Sequence, residues 1–200
     1  MITCMSDILC VTNRKLCAED FRTRIEKIAR AKPAGIILRE KDLSETEYRT
    51  LAADVLSICR RYDVPCILHS FVRVAIALEA PAIHLPLPLL SQLGEDDKAR
   101  FSVIGASCHS VEEAQAAARM GCTYVTAGHV FETGCKAGLP GRGLDFLKAV
   151  CGSVCVPVYA IGGIRAEKIA AVRQCGAEGA CVMSGAMTCD DVQEYLGAFV

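Results

Sequence analysis

The feature of this sequence that most constrains its fold is a regular alternation of short apolar segments with helical segments. The apolar segments are hydrophobic at successive positions, which is typical of parallel β-strands covered by helices on both faces. The eight strand candidates are ILCVT from Ile8, GIILRE from Gly35, VPCILHS from Val64, AIHLP from Ala82, FSVIGAS from Phe101, TYVTAGHV from Thr123, VPVYAIGG from Val156 and GACVMSG from Gly179.

Helical patterns fill the segments between these strands. Ser110 and Glu113 predict a capping box at the start of one helix, and Gly121 predicts its end. The clearest helices are EDFRTRIEKIARAK, SETEYRTLAADVLSICRRY and SVEEAQAAARMG, and shorter ones are predicted around residues 71–78, 89–97, 144–150, 166–174 and 190–199.

Eight β/α units in one chain predict the α/β class and a single-domain (β/α)8 TIM barrel that spans residues 1–200. No linker or low-complexity stretch divides the sequence. An open doubly wound sheet is the alternative. The dinucleotide fingerprint G-x-G-x-x-G is absent after the first strand, and this absence favours the barrel.

Composition and charge narrow the class of partner. With 52% hydrophobic and 22% charged residues, the chain is typical of a globular protein. Lys and Arg total 22 against 23 Asp and Glu, so we expect neither a nucleic acid nor a membrane surface as partner. No run approaches the roughly 20 apolar residues of a membrane helix, and the expected location is the cytoplasm. A small molecule is the expected ligand, and homo-oligomer formation stays open.

The sequence contains 13 cysteines, an odd number that a complete set of intramolecular disulfides cannot use. Cys10, Cys66 and Cys181 lie in apolar segments, where a reduced thiol acts as a small hydrophobic group. Because no C-x-x-C pair is present, we do not expect a zinc site.

Polar residues follow several of the predicted strands. In a TIM barrel the active site lies where the strands end and the βα loops begin. The residues at these positions are Arg39, Glu40 and Lys41 after the second strand, His69 and Ser70 after the third, Ser107 and His109 after the fifth, and 129–136 after the sixth.

Two small-residue loops predict a phosphate site. Gly162 and Gly163 end the seventh strand in AIGGI, and Ser184 and Gly185 follow the eighth in VMSGAM. Barrels of this kind often bind phosphate at these two loops, where glycine lets backbone N–H groups approach the anion.

The order and spacing of these motifs resemble the thiamine phosphate synthase and TenI superfamily over nearly the whole chain. The motifs that carry the resemblance are ILCVTN, LREK, RYDVPCIL, IHLP, IGASCHSVEEA, AIGGI and VMSGAM. Within that superfamily, GHVFETGCKAGLPGRG resembles the TenI branch, the thiazole tautomerases. The resemblance implies an isomerase of thiamine biosynthesis that aromatises a carboxythiazole phosphate by proton transfer.

That resemblance also implies roles for individual residues. His129 is the expected catalytic acid–base group, since the pKa of a histidine lies close to neutral. The positions that match ligand-facing residues of the superfamily are Arg39, Lys41, Ser107 and Lys136. The expected phosphate contacts are Gly162, Gly163, Ser184 and Gly185. No metal or redox cofactor is expected.

The synthase branch is the alternative function. Synthases of the superfamily usually have Asn-Asp after the third strand and a second acidic residue after the fourth, and these carboxylates hold Mg²⁺. This sequence has His69-Ser70 and HLPLPLL instead, which argues against Mg²⁺-dependent coupling of hydroxymethylpyrimidine diphosphate with thiazole phosphate. A regulatory or ligand-binding protein without catalysis is a further alternative.

Overall fold

A computed structural model describes residues 7–134 and 138–200 of the chain. All eight predicted strands are present, and they follow one another around a closed barrel in chain order. The predicted (β/α)8 fold class is therefore confirmed. The strands are β1 (Ile8–Val11), β2 (Gly35–Leu38), β3 (Cys66–His69), β4 (Ala82–Pro86), β5 (Val103–Cys108), β6 (Tyr124–Gly128), β7 (Val158–Ile161) and β8 (Gly179–Val182).

The helices occupy the segments between the strands, and most of them are shorter than the sequence patterns suggest, whereas α7 is longer than the predicted 144–150. They are α1 (Phe21–Arg30), α2 (Glu45–Arg61), α3 (Val72–Ala77), α4 (Leu87–Leu90), α5 (Glu95–Lys98), α6 (Val111–Arg119), α7 (Gly143–Ser153), α8 (Ile169–Gln174), α9 (Ser184–Thr188) and α10 (Val192–Gly197). The single helix predicted around 89–97 is two short helices, α4 and α5, because Leu93 and Gly94 separate them.

The contacts of the chain divide it into two compact units, and the first comprises the residues up to Ile83 together with Met183–Val200. In this unit β1 pairs with β2, and β2 with β3, all in parallel. The paired strand segments are buried along their whole length, as the continuous apolar runs predict. Helix α2 begins with a complete capping box between Ser44 and Glu47.

The second unit is His84–Val182. Its strands β5, β6, β7 and β8 pair in parallel, and the register places Gly105 beside Tyr124 and Ser107 beside Thr126. Helix α6 begins at Ser110, whose side chain accepts a hydrogen bond from the Glu113 backbone N–H. The predicted box is only half formed, because the Glu113 carboxylate accepts instead from the backbone N–H of His109.

Aliphatic side chains and alanines from both elements of each β/α unit form the buried core. Cys10 and Cys66 lie inside it as free thiols on β1 and β3, which agrees with the prediction of reduced, packing cysteines. Burial raises the pKa of the Cys10 thiol, so this group stays protonated. Within residues 7–134 and 138–200, we find no helix of the length and apolar character needed to cross a membrane.

Candidate functional site

Ser107 lies near the end of β5 and is linked to two buried side chains. Its hydroxyl Oγ is 2.8 Å from His84 Nε2, and the other ring nitrogen of His84, Nδ1, is 2.8 Å from the hydroxyl of Tyr124. Burial lowers the pKa of His84 to about 3, which keeps the imidazole neutral. The predicted ligand contact at Ser107 is thus the outer end of a buried chain of three hydrogen-bonding groups.

His129 follows β6 directly and is buried, with 6% of its surface exposed. Its Nε2 lies 3.0 Å from the carbonyl oxygen of Pro140 and 3.4 Å from that of Leu139. Because a carbonyl oxygen only accepts, Nε2 carries a proton and donates it to these carbonyl groups. Nδ1 is buried and has no hydrogen-bond partner among the described residues.

The glycine pair after β7 packs against the segment that follows β6. Gly162 and Gly163 have φ angles of +99° and +64°, a region that side-chain-bearing residues rarely adopt. A Cβ on Gly162 would overlap the Cβ of His129, and a Cβ on Gly163 would overlap the Glu132 carbonyl oxygen. The two glycines are therefore required by this close approach, independently of the phosphate role that the sequence predicts for them.

A second cluster lies after β2 in the first unit. Here Arg39 and Lys41 flank Glu40, whose carboxylate is buried and accepts hydrogen bonds from Thr12 Oγ1 at 2.7 Å and from the Arg14 backbone N–H at 3.0 Å. The Arg14 guanidinium also reaches Asp42 at 2.6 Å. By contrast, neither the Arg39 nor the Lys41 side chain forms an ion pair with a described residue.

The two cations after β2 influence each other. Lys41 is exposed, and partial desolvation, followed by the charge of Arg39, lowers its pKa from the usual value. Their backbone is fixed, since the Arg39 N–H donates to Thr12 Oγ1 at 2.9 Å. An anion bound here would relieve the repulsion between two positive groups that lack acidic partners in the described chain.

Ser184 and Gly185 begin the short helix α9, and Ser184 is exposed. A Cβ on Gly185 would overlap the hydroxyl of Tyr195 on α10, so packing against Tyr195 also favours glycine at this position. Lys136, the remaining predicted contact, lies outside the described residues.

Lys168 is a residue that sequence reasoning missed. Its ammonium Nζ lies 3.4 Å from the Gly163 carbonyl oxygen and 4.2 Å from the centre of the Phe131 ring. The signal in the sequence was a lysine five positions after the paired glycines, at the start of the predicted helix that follows β7. A cation therefore lies beside the loop where the sequence predicts phosphate.

The positions after β3 and β4 do not fit a magnesium ion. A hard cation takes oxygen ligands, above all carboxylates. After β3, His69 Nδ1 and Ser70 Oγ are 2.7 Å apart and bond to each other, while β4 ends at Pro86 and continues into the apolar helix α4. No group of three or more His, Cys, Asp or Glu suited to a metal occurs in the described part of the chain.

Residues 8–186 match the family model described as thiamine monophosphate synthase. The chain belongs to this family. Thiamine-phosphate synthase of Clostridium acetobutylicum is 32% identical over 191 residues, which cover 92% of this chain and 88% of that protein. Thiamine-phosphate synthase 2 of Streptococcus pneumoniae serotype 4 is 30% identical, with coverage of 95% and 91%.

One solved structure is similar over nearly the whole chain and agrees with this family. Thiamine phosphate pyrophosphorylase from Pyrococcus furiosus superposes with a TM-score of 0.83 at 26% identity, covering 96% of this chain and 92% of that one. The suspected membership of the superfamily is thus confirmed. A 3-hexulose-6-phosphate synthase at 18% identity and a TM-score of 0.74 shares the fold alone.

These relatives correct the expected activity. The prediction of a thiazole tautomerase, an isomerase, is wrong, because curated relatives over most of the chain are named thiamine-phosphate synthases, the alternative function. That prediction depended on one loop, GHVFETGCKAGLPGRG, on the need for a base at His129, and on the missing carboxylates after the third and fourth strands. The structure gives His129 another task, since its Nε2–H holds the backbone at Pro140, so a histidine at this position does not by itself require proton transfer.

Proposed function

We propose that this chain is a thiamine-phosphate synthase, a transferase that couples hydroxymethylpyrimidine diphosphate with thiazole phosphate. The observation that carries the proposal is the likeness to named synthases, one of which matches 92% of this chain at 32% identity. In the reaction, the bond between the pyrimidine methylene carbon and the diphosphate oxygen breaks, and a bond from that carbon to the thiazole nitrogen forms. Diphosphate leaves with the electron pair of the broken bond.

The free cations after β2 suit the diphosphate. Arg39 and Lys41 form no ion pair with a described residue, whereas Arg14 and Lys15 close by are paired with Glu40 and Asp42. Since the residues after β3 and β4 do not fit Mg²⁺, the charge of the leaving group is assigned to side chains of this protein. Lys136 is proposed for the same task.

The thiazole phosphate is assigned to the loop after β7. Gly162 and Gly163 are half-buried, and the Lys168 ammonium lies beside Gly163. A phosphate placed here gains backbone N–H donors together with a positive charge. Ser184 and Gly185 are proposed as a further phosphate contact, through the backbone that begins α9.

His129 and Ser107 are assigned to the organic part of the substrates. Nδ1 of His129 is buried and lacks a partner among the described residues, and we assign it as the acceptor for an exocyclic amine of the pyrimidine. Such a hydrogen bond pushes electron density into the ring as the methylene carbon loses diphosphate. In this proposal His129 acts as a hydrogen-bond acceptor for the substrate.

The direct experiment incubates the purified full-length chain with both substrates and measures thiamine phosphate and diphosphate. We expect the two products in equal amounts and a strong loss of rate in Arg39→Gln. Arg119→Gln is the matched control, because Arg119 is an exposed arginine on α6 with no assigned role. If the folded protein binds thiamine phosphate but forms none, it is a ligand-binding member of the family and the proposed function is wrong.

A further inference from the structure

Three side chains of the second unit form a connected hydrogen-bond chain that runs from the core toward Ser107. Tyr124 on β6, His84 on β4 and Ser107 on β5 are joined by two contacts of 2.8 Å each. Tyr124 and His84 are buried, and Ser107 is half-buried. Ser107 is therefore the end of the chain that solvent and small molecules can reach.

The strand β5 is built around this chain. Gly105 pairs with Tyr124 in the parallel register and lies two residues before Ser107, so the two residues are on the same face of the strand. A Cβ on Gly105 would lie 2.5 Å from His84 Nδ1 and would also overlap the Tyr124 ring. Glycine is thus needed at this position for the imidazole and the phenol to meet.

The charge states of the chain are fixed by burial. Burial holds the pKa of His84 near 3 and raises the pKa of Tyr124 well above its usual value. At neutral pH the three groups are therefore a phenol, a neutral imidazole and an alcohol. A neutral imidazole has one N–H donor and one acceptor nitrogen, so only two proton arrangements remain.

The two arrangements differ in which hydroxyl group, that of Tyr124 or that of Ser107, has a proton without an acceptor in the chain of hydrogen bonds. If Ser107 donated to Nε2, then Nδ1 would donate to Tyr124, and the buried phenol proton would need another acceptor. Within the described residues the Tyr124 hydroxyl has no other acceptor in range. An unsatisfied buried donor is costly, so the opposite arrangement is favoured: Tyr124 donates to Nδ1, and Nε2–H donates to Ser107.

We propose that Tyr124 and His84 are positioning residues that commit the Ser107 hydroxyl to donate its proton to an acceptor atom of the ligand. The Ser107 oxygen already receives the His84 N–H, and its own proton has no acceptor among the described residues. The ligand atom opposite it is an acceptor without a proton, either a phosphoryl oxygen or a pyrimidine ring nitrogen. The role in turnover rests on the proposed synthase function, but the proton arrangement does not.

Nitrogen NMR of the wild-type protein tests the arrangement without any activity. We expect the spectrum of His84 to show a protonated Nε2 and an unprotonated Nδ1, and Tyr124→Phe to shift the Nδ1 signal. The reverse tautomer would overturn the proposal. The NMR measurement does not depend on synthase activity. A failure of the proposed function can therefore be distinguished from a failure of the proposed proton arrangement.

A double-mutant cycle tests the coupling of Tyr124 to Ser107. Tyr124→Phe keeps the ring and should lower kcat by about three- to tenfold through the loss of one oriented hydrogen bond. In a Ser107→Ala background the same change should have little further effect, and Ser107→Thr should restore much of the rate. Equal effects of Tyr124→Phe in both backgrounds would show a merely structural tyrosine.

Binding measurements identify the acceptor and provide a control. Calorimetry with inorganic diphosphate and with hydroxymethylpyrimidine should show weaker binding of one of them to Ser107→Ala and to Tyr124→Phe. Tyr62→Phe is the matched control, because its hydroxyl bonds Glu26 in the first unit and has no assigned role at the site. If neither probe responds to either variant, Ser107 does not donate to the ligand.

Discussion

The buried carboxylate of Glu40 holds Arg14 by both its backbone and its side chain. Oε1 accepts from the Arg14 backbone N–H at 3.0 Å, and Oε2 lies 3.2 Å from the Arg14 guanidinium. The same carboxylate accepts the hydroxyl of Thr12, which in turn accepts the Arg39 backbone N–H. Glu40, which lies between Arg39 and Lys41, thereby links the loop after β2 to the segment that follows β1.

Glu40→Gln should therefore reduce both stability and activity. An amide presents one acceptor oxygen where the carboxylate presents two, and the charge-assisted bonds to Arg14 are lost. We expect a free energy of unfolding lower by about 1–3 kcal/mol, measured by urea denaturation. Asp54→Asn is the control, because its ion pair with Arg22 is exposed and should contribute about 1 kcal/mol or less. Equal effects of the two variants would contradict the fastening role of Glu40.

Gly163→Ala tests the loop after β7. The new Cβ meets the Glu132 carbonyl oxygen and lies 2.9 Å from Phe131 Cβ, at a positive φ of 64°. We expect a loss of stability of about 1–3 kcal/mol and weaker binding of thiazole phosphate, measured by calorimetry. Gly152→Ala on α7 has nothing within 4 Å of its Cβ and should be neutral or stabilising. Wild-type affinity in Gly163→Ala would place the phosphate elsewhere.

Two substitutions separate the tasks of the two His129 nitrogens. In His129→Gln the amide NH2 can still donate to the Pro140 carbonyl, while the acceptor at Nδ1 is lost. In His129→Asn an oxygen takes the place of Nδ1, while the contact with Pro140 is lost. We expect Gln to lower kcat/KM by about three- to tenfold with a near-normal Tm, and Asn to lower the Tm while keeping more activity. The reverse pattern would show that Nδ1 does not contact the substrate.

The strands and most helices could be predicted because their signals are local. Continuous apolar runs such as GIIL form β2 and are buried throughout, and Ser110 caps α6 as the sequence predicts. The break between α4 and α5 was missed, since the apolar LPLL and the acidic EDDK appear as one segment in the sequence.

The contacts of the site could not be predicted in the same way, because they join residues far apart in the chain. The bond from His84 to Tyr124 spans 40 positions, and that from Thr12 to Glu40 spans 28. Ser107 and His129 became candidates because they follow predicted strands and match positions in the family that the sequence resembles. The tautomer of His129 and the partner of Ser107 depend on strand register and loop packing, which composition and spacing do not encode.

The pH dependence of stability provides a test of the buried His84. Its pKa is about 3 in the folded protein, below the usual histidine value, so the unfolded chain takes up a proton first as the pH falls. The stability is therefore full above the unfolded pKa and decreases as the pH falls from there toward the folded pKa. Between about pH 7 and about pH 5 the wild type should lose on the order of 2 kcal/mol through this residue. His84→Gln should be less stable at neutral pH but should show a flatter dependence in that window, measured by urea denaturation.

Carboxyls with a lowered pKa, such as Asp42, lose their contribution at lower pH and do not interfere. His109→Gln is the control, because solvent reaches 44% of the His109 side chain. An unchanged pH slope in His84→Gln would show that His84 is not a neutral, buried link between Tyr124 and Ser107.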